Sequence, residues 1–394
     1  MMKYLRQFAG LLPEGLKSII LMIIDSRVRS RFIQDIAISR QQHRILSQKY
    51  SSDTQRLIIF LVPGSDIVNG GIMSICSLCR ESKKLKQIHK AEVLVCSLPE
   101  NKIFYPYHLR HRQNRIARFT KFKNDIEIFD FWEVLHHFKN LDVLTIHIPE
   151  LYVGYFIEGL LNKNIVLRKH SREVVTNIML QNIRLIPSID EISNIKILAS
   201  KVTCTTAHDQ YTSQEVRDNL GCPLHLFSVW ASPELYLFKS YSEKKDLLVV
   251  SPDPHPSKQL VLESIKQAHP LLEIRVVENI TYETFKQWMS DAKWTLTFGE
   301  GLDGYLGEGI FSGAIGFAVY NEEFFTKEFS YLETIYKSYE HQIEMICNDI
   351  DKYNDKTTYE RYQKRQYEIL CSLYDNNQYV KNITNYYLGK YDYP

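Results

Sequence analysis

Short apolar runs alternate along the chain with longer amphipathic stretches, and the two periods predict strands and helices by turns. Runs rich in β-branched and aromatic residues at 57–62, 91–97, 143–148, 165–169 and 202–206 read as strands. A second series of strand-like runs follows at 247–250, 273–277, 293–298 and 317–320. Helical spacing occupies 72–81, 258–268 and 282–292 between them, and residues 1–50 read as an amphipathic helical pair. Near-continuous apolar strands separated by helices predict parallel, doubly wound sheets whose two faces are both covered. The stretch 226–237 reads as the crossing between the two series, and helices rich in Tyr, Glu and Lys are expected after Tyr320. No internal repeat and no low-complexity linker interrupts the order.

The densest chemistry lies just after the strand predicted at 293–298. There the chain runs Gly299-Glu300-Gly301-Leu302-Asp303-Gly304-Tyr305-Leu306-Gly307-Glu308-Gly309, with two glutamates eight positions apart in a glycine-rich loop. The following helix is expected to begin near Glu308 and to stop before Gly316. Loops at the carboxyl ends of parallel strands form the ligand crevices of open α/β sheets, because glycines let backbone N–H groups approach a phosphate and the next helix N-terminus favours negative charge. A second loop of this kind follows the first strand, where Gly70 and Gly71 remove side-chain bulk as the helix over 72–81 begins. Taken by themselves, glycines and acids of this sort also serve ordinary surface turns.

The Glu300…Glu308 spacing resembles the E-x7-E motif of retaining GT-B glycosyltransferases, in particular glycosyltransferase family 4. The resemblance extends over most of the chain in the order of its elements and is specific at the two glycine-rich turns. It implies an α/β GT-B fold of two Rossmann-like, doubly wound domains facing across a cleft. The expected division is 1–233 for an acceptor-side domain, 234–350 for a nucleotide-sugar-binding domain and 351–394 for helices packing back on the first. It also implies roles: Glu300 beside the donor sugar, Glu308 on the ribose, and the backbone from Gly301, with Gly70 and Gly71, near the diphosphate. Lys258 matches the lysine that neutralises the leaving diphosphate, whereas the arginine expected five residues earlier is Asp253. His147, at the end of the strand over 143–148, is expected to touch the sugar, with His170 as a second histidine of the same cleft. Glu278 and Asn279 occupy the place of the base and ribose.

Composition narrows the setting. At 394 residues the chain exceeds the usual size of one hydrophobic core. Its seven cysteines are scattered rather than set in a repeating framework, which suits a reducing compartment, and Cys76 and Cys79 read as core or helix-face residues rather than a redox or zinc pair. No secretory signal is read at the start, and the apolar segment 19–24 is too short to span a bilayer, so a cytoplasmic protein, peripheral to the membrane at most, is expected. Net charge is +2 overall, but residues 1–125 hold 22 Lys+Arg against 9 Asp+Glu. The remainder is therefore net negative. Two basic clusters dominate the first part, Arg27, Arg29 and Arg31, then Arg110, Arg112, Arg115, Arg118, Lys121 and Lys123. Such patches suit a pyrophosphate-linked acceptor or an anionic membrane face, and equally a solvated helix face; no nucleic-acid motif accompanies them.

The sequence thus predicts transfer of a sugar from a nucleotide donor to a glycan or lipid-linked acceptor, as in surface polysaccharide synthesis. Retention at the anomeric carbon is expected, with no cofactor or obligatory metal and the nucleotide sugar as substrate. Asp253 keeps a second reading open, a catalytically degraded GT-B binding or scaffold subunit, and an epimerase of the same fold is a third.

Overall fold

The computed structural model describes residues 23, 26–63, 70–98, 127–154, 156, 166–228 and 236–394. These fall into two compact units. The first holds the described residues up to Ser228 together with Lys381–Pro394; the second holds those from 236 to 380.

In the first unit, the strands are β1 (Arg56–Pro63), β2 (Glu92–Leu98), β3 (Ile128–Asp130), β4 (Leu141–Pro149), β5 (Ser171–Leu180), β6 (Lys201–Thr206) and β7 (Leu224–Leu226). They form a sheet in the order β3-β2-β1-β4-β5-β6-β7, parallel throughout. One core cluster gathers Ile59, Leu94, Phe129, Leu144 and Ile146 from the strands with residues of the covering helices. Each such side chain, taken out of water, contributes about 1.5–3 kcal/mol. The helix Gly70–Lys84 buries both Cys76 and Cys79.

The strand expected at 165–169 is not one. Residues Val166–His170 are a helical turn, and β5 starts at Ser171. The strand was hidden because its first half carries exposed Arg172 and Glu173, and because buried Thr176 and Asn177 interrupt its apolar run. Its pairing is set instead by register, Leu144 opposite Val174 and Ile146 opposite Thr176 on β4. His170 consequently sits before β5, at the amino-terminal edge of the sheet, away from the edge where ligand loops gather.

Asn177 is the hub of a buried polar network. Its amide donates to His147 Nδ1 (3.0 Å) and Thr205 Oγ1 (2.9 Å), and its carbonyl accepts from Thr203 Oγ1 (3.0 Å). Thr203 Oγ1 lies 3.1 Å from Tyr386 Oη, and Tyr387 Oη lies 2.8 Å from Ser82 Oγ. His225 Nε2 lies 2.8 Å from the carbonyl of Asn382. These bonds secure the segment from Lys381 to the sheet of the first unit.

In the second unit, β8 (Lys245–Val250), β9 (Glu273–Val276), β10 (Ala292–Leu296), β11 (Ile315–Val319) and β12 (Ile335–Tyr336) form a parallel sheet in the order β12-β11-β10-β8-β9. The helix Lys356–Leu373 belongs to this unit and not to the first. Gln366 exchanges hydrogen bonds with both backbone groups of Gly316 at 2.9 Å, Gln363 Nε2 donates to Ile310 O (2.9 Å), and Tyr359 Oη reaches Lys293 O (2.8 Å). The segment 351–394 is therefore divided between the units.

Lys244, just before β8, is buried and donates from Nζ to three backbone carbonyls, Ser290 (3.0 Å), Ala292 (2.9 Å) and Ser312 (3.0 Å). It thereby closes the ends of the helices Tyr282–Asp291 and Gly304–Phe311, whose last carbonyls have no partner within the helix. Lys244→Met keeps most of the stem but removes all three of these bonds, leaving Ser312 O with the N–H of Lys239 alone. It should lower stability by about 2–4 kcal/mol in urea unfolding, and a loss below about 0.5 kcal/mol would show that the ammonium is not holding these ends together.

Candidate functional site

The second sheet reverses direction between β8 and β10: the chain leaves β8 for its neighbour β9 and then crosses back to β10. The crevice outside the carboxyl ends of these two strands is the ligand position that such a switch creates. Ser251, directly after β8, is fully buried and joins the two strand ends, its Oγ accepting from the backbone N–H of Phe298 at 3.0 Å. Lys258 opens the helix Lys258–Ala268 and folds back over its own loop, its Nζ donating to Ser251 O (2.7 Å) and Asp253 O (3.1 Å). Burial lowers its pKa. Within that loop the His255 ring stacks on Tyr339, centroids 3.6 Å apart.

The glycine-rich loop after β10 is held by close packing. Gly301 adopts φ +97, and a Cβ there would stand 2.2 Å from the ring of Phe325 and 3.1 Å from the carbonyl of Val319. Only glycine fits both the conformation and the space. The helix that follows begins at Gly304, four residues before the expected start. Asp303 is its cap: Oδ1 accepts from the N–H of Leu306 (3.1 Å) and Oδ2 from Thr297 Oγ1. An aspartate directly before an apolar helical run is an N-cap signature, and it was the signal in the sequence that places this start.

With the start at Gly304, Glu308 lies one turn inside the helix. It is buried, with Oε2 accepting from Tyr282 Oη (3.3 Å) and Oε1 facing back toward Gly304, where a Cβ would come within 3.3 Å. Side chains of a helix lean toward its N-terminus, so the carboxyl points to the loop. Burial pushes its pKa up to about 8. Asp303 is raised to about 7, again by burial, with the charge of Asp253 adding to the effect. Asp253 and Asp303 converge: Oδ2 of each would stand 2.9 Å from a Cβ placed on Gly299, and Asp253 Oδ2 is buried without a hydrogen-bond partner.

The remaining predicted residues divide between the units. Glu300 is exposed on the loop, and Glu278 and Asn279 are exposed after β9, Asn279 with φ 53. Glu300, Gly301, Glu308, Lys258, Glu278 and Asn279 thus all follow carboxyl ends of one sheet. Gly70 and Gly71 start the helix after β1 in the first unit, and Gly71 O accepts from Gln181 Nε2 at 3.0 Å. His147 lies on β4 opposite Phe60, with no exposed surface, and stacks on that ring at 4.2 Å. Its Nδ1 faces Asn177 and its Nε2 lies 3.3 Å from Tyr387 Oη, so both nitrogens are used within the unit. Burial lowers its pKa to about 3, which keeps the ring neutral. The expectation that His147 touches a sugar is corrected by this burial, and a structural histidine takes its place. Of the basic clusters, 110–123 lies outside the described residues, and Arg29 is exposed on the helix Ser26–Lys49. Among the described residues no group of three or more His, Cys, Asp or Glu is placed to hold a metal ion, and no helix is long and apolar enough to cross a membrane.

No protein-family model matches the sequence, and no curated protein sequence matches it. Solved structures do match the fold. Anabaena HepE in complex with UDP and glucose superposes with TM-score 0.51 at 10% identity, covering 85% of this chain and 100% of that one. The same protein in complex with UDP-glucose gives TM-score 0.51 at 11% identity over 85% and 99%. Sucrose-phosphate synthase from Thermosynechococcus elongatus is similar at 10% identity, TM-score 0.49, over 85% and 98%. Two α/β units with parallel sheets, matched in this way, give the chain the GT-B fold.

The two raised carboxyls have a consequence for stability. A carboxyl whose folded pKa lies above its unfolded value near 4 keeps its proton in the folded state where the unfolded state has released it. Stability is then lost as pH rises from about 4 through the folded pKa values of about 7 and 8. Glu308→Gln removes one of these groups while preserving its shape. The wild type should lose on the order of a few kcal/mol relative to the variant between pH 5 and pH 8.5. Urea unfolding of both proteins across this range measures it, and parallel curves would mean that Glu308 ionises normally.

Proposed function

We propose that the chain is a glycosyltransferase that moves a sugar from a nucleotide-sugar donor to a glycan or lipid-linked acceptor, with retention at the anomeric carbon. The observation that carries this reading is the Gly299–Glu308 loop at the switch between β8 and β10, in a fold shared with structures solved with UDP and with UDP-glucose. The E-x7-E resemblance to family 4 supports the same site. In this reading the backbone N–H groups after Glu300 and the helix N-terminus at Gly304 receive the diphosphate, and their fixed dipoles favour the charge that grows as the nucleotide leaves. Lys258 turns from the carbonyls of Ser251 and Asp253 toward the phosphates when donor is bound. Glu300 orients the sugar. Glu308, protonated near neutral pH, can both donate to and accept from ribose hydroxyls, a use that a buried carboxylate would serve less well. Protein donors and the helix end carry the leaving-group charge, so transfer in this reading proceeds without a metal. A basic first part of the chain suits a pyrophosphate-linked acceptor at the inner face of a membrane, as in surface polysaccharide synthesis.

A second reading rests on Asp253. A carboxylate stands where the family 4 pattern has a cation, beside a second carboxyl, Asp303. That arrangement weakens anion binding and favours a binding or scaffold subunit of the same fold.

Two substitutions test the donor site, and turnover by the wild type separates these readings. Glu308→Ala should weaken nucleotide binding by about 1.5–3 kcal/mol, as expected for a lost hydrogen bond to a charged or buried partner. Asp253→Arg should tighten it roughly tenfold, about 1.4 kcal/mol, by exchanging repulsion for attraction at the diphosphate. Calorimetry with UDP-sugars and GDP-sugars, followed by assay of nucleotide release, reads both. Nucleotide binding by a wild type that neither transfers nor hydrolyses the donor would select the scaffold reading. Failure of every nucleotide sugar to bind would reject the donor site altogether.

A further inference from the structure

Cys204 and Cys222 bring their sulfurs to 3.4 Å in the core of the first unit. Cys204 lies in the middle of β6, between Thr203 and Thr205, whose hydroxyls meet Asn177 on one face of the sheet. Alternation along the strand turns Cys204 to the other face, where it joins Ile192, Ile195, Leu220 and Cys222 in the apolar core. Cys222 follows the short helix Gln214–Leu220, whose cap Gly221 takes φ 64. The approach is fixed by the sheet itself: the N–H of Cys204 donates to Pro223 O at 2.8 Å, and Cys204 pairs with Leu224.

Thiols so placed differ in character. The hydrogen bond shared with Cys204 holds the Cys222 thiol below its usual range, and Lys196 and Arg217 act in the same sense. Lys196 Nζ itself donates to Gly221 O at 2.8 Å. Cys204 is raised, chiefly by that hydrogen bond and by burial. The pair therefore offers one sulfur suited to attack and one suited to resolve, in a dry environment where a disulfide is less costly to bury than two thiols.

We propose that Cys204 and Cys222 are a redox-active pair that a hydroperoxide converts to an intramolecular disulfide. The Cys222 thiolate attacks a peroxide oxygen, breaking the O–O bond and forming a sulfenic acid while the other oxygen leaves as water after taking up a proton. The Cys204 sulfur then attacks the sulfenic sulfur, the S–S bond forms, and a second water departs with the Cys204 proton. Two thiols and one hydrogen peroxide give one disulfide and two waters, the sulfurs being oxidised and the peroxide reduced. The sulfurs need to close from 3.4 Å to about 2.0 Å for the bond to form. Entry for so small an oxidant comes by local opening at the edge of the sheet, where β7 has three residues and the preceding helix seven.

The bond would close the segment 204–222 into a covalent loop carrying Asp209–Tyr211 and the helix Gln214–Leu220. That segment is already an anchor point. Arg217 donates to the carbonyl of Pro394 from Nε (3.0 Å) and Nη2 (2.7 Å), and Leu224 is bridged to Tyr393. β7 is paired with β6 and Leu224 is bridged to Tyr393 while both thiols are free, so oxidation would add a covalent tie to contacts already made at this edge of the sheet.

The test uses the purified full chain, freed of reductant, exposed to hydrogen peroxide, alkylated and mapped without reduction. The expected result is a Cys204–Cys222 linked peptide, reversed by dithiothreitol, with a rise in melting temperature on the order of 5 °C. Cys222→Ser should abolish both the link and the shift, while Cys371→Ser should keep both. Cys222→Ala repeats the test with an apolar side chain should the serine fail to fold. Free alkylated Cys204 and Cys222 at a peroxide exposure that has already oxidised Cys347 and Cys371 would overturn the proposal, as would a thermal shift that survives in either Cys222 variant.

Discussion

Parallel strand pairing is the constraint from which the rest follows. A parallel neighbour cannot be reached by a tight hairpin, so each strand must be followed by a crossover that returns to the amino-terminal edge. All loops leaving carboxyl ends therefore collect on one edge of each sheet, and helices cover both faces. In the second unit this constraint brings Ser251, Lys258, Glu278, Phe298 and Glu300 to the same edge from three strands scattered over fifty residues of sequence. The reversal of strand order between β8 and β10 then leaves two of these loops splayed apart, with no crossover filling the gap between them.

That edge is built with little slack. Gly301 packs its backbone against Phe325, Asp303 caps the next helix while receiving Thr297, and Ser251 ties the end of β8 to Phe298. The loop is thus defined by contacts beneath it, leaving Glu300 exposed above. Preformed backbone donors lose less entropy on meeting a ligand than donors that must first be ordered. The Asn177 network performs a comparable service in the first unit, since one amide satisfies His147, Thr203 and Thr205 together. A buried network of this kind is favourable only when its members are all partnered.

How much of this the sequence discloses depends on whether the signal is local. Strands β8 and β10 and the helices Lys258–Ala268 and Tyr282–Asp291 were legible within a residue or two because their apolar periodicity is uninterrupted. The strand β5 was not, because polar Thr176 and Asn177 are buried only by virtue of partners on β4 and β6. His147 looked like a strand-end ligand for the same reason: nothing nearby in the sequence shows that Asn177 and Tyr387 occupy its two nitrogens. The start of the helix at Gly304 is legible in Asp303, a capping residue whose carboxylate accepts from the N–H of Leu306. The contact between Cys204 and Cys222 joins residues on a strand and beyond a helix, and spacing alone carries no trace of it.

The acids of the second unit pose the sharpest electrostatic problem. Residues after 125 carry more Asp and Glu than Lys and Arg, and Asp253, Asp303 and Glu308 all come close to the one glycine-rich loop. Fully ionised, such a cluster would repel any phosphate. Burial answers part of this, since a carboxyl kept from water holds its proton to higher pH, and Glu308 and Asp303 are both shifted in that sense. At neutral pH the loop therefore presents hydrogen-bonding carboxyl groups rather than a full set of negative charges. Lys258 is held by carbonyls at the same edge, so a cation is stored within reach of the gap. The charge presented at this edge is consequently governed less by how many acids the sequence contains than by which of them the fold keeps dry.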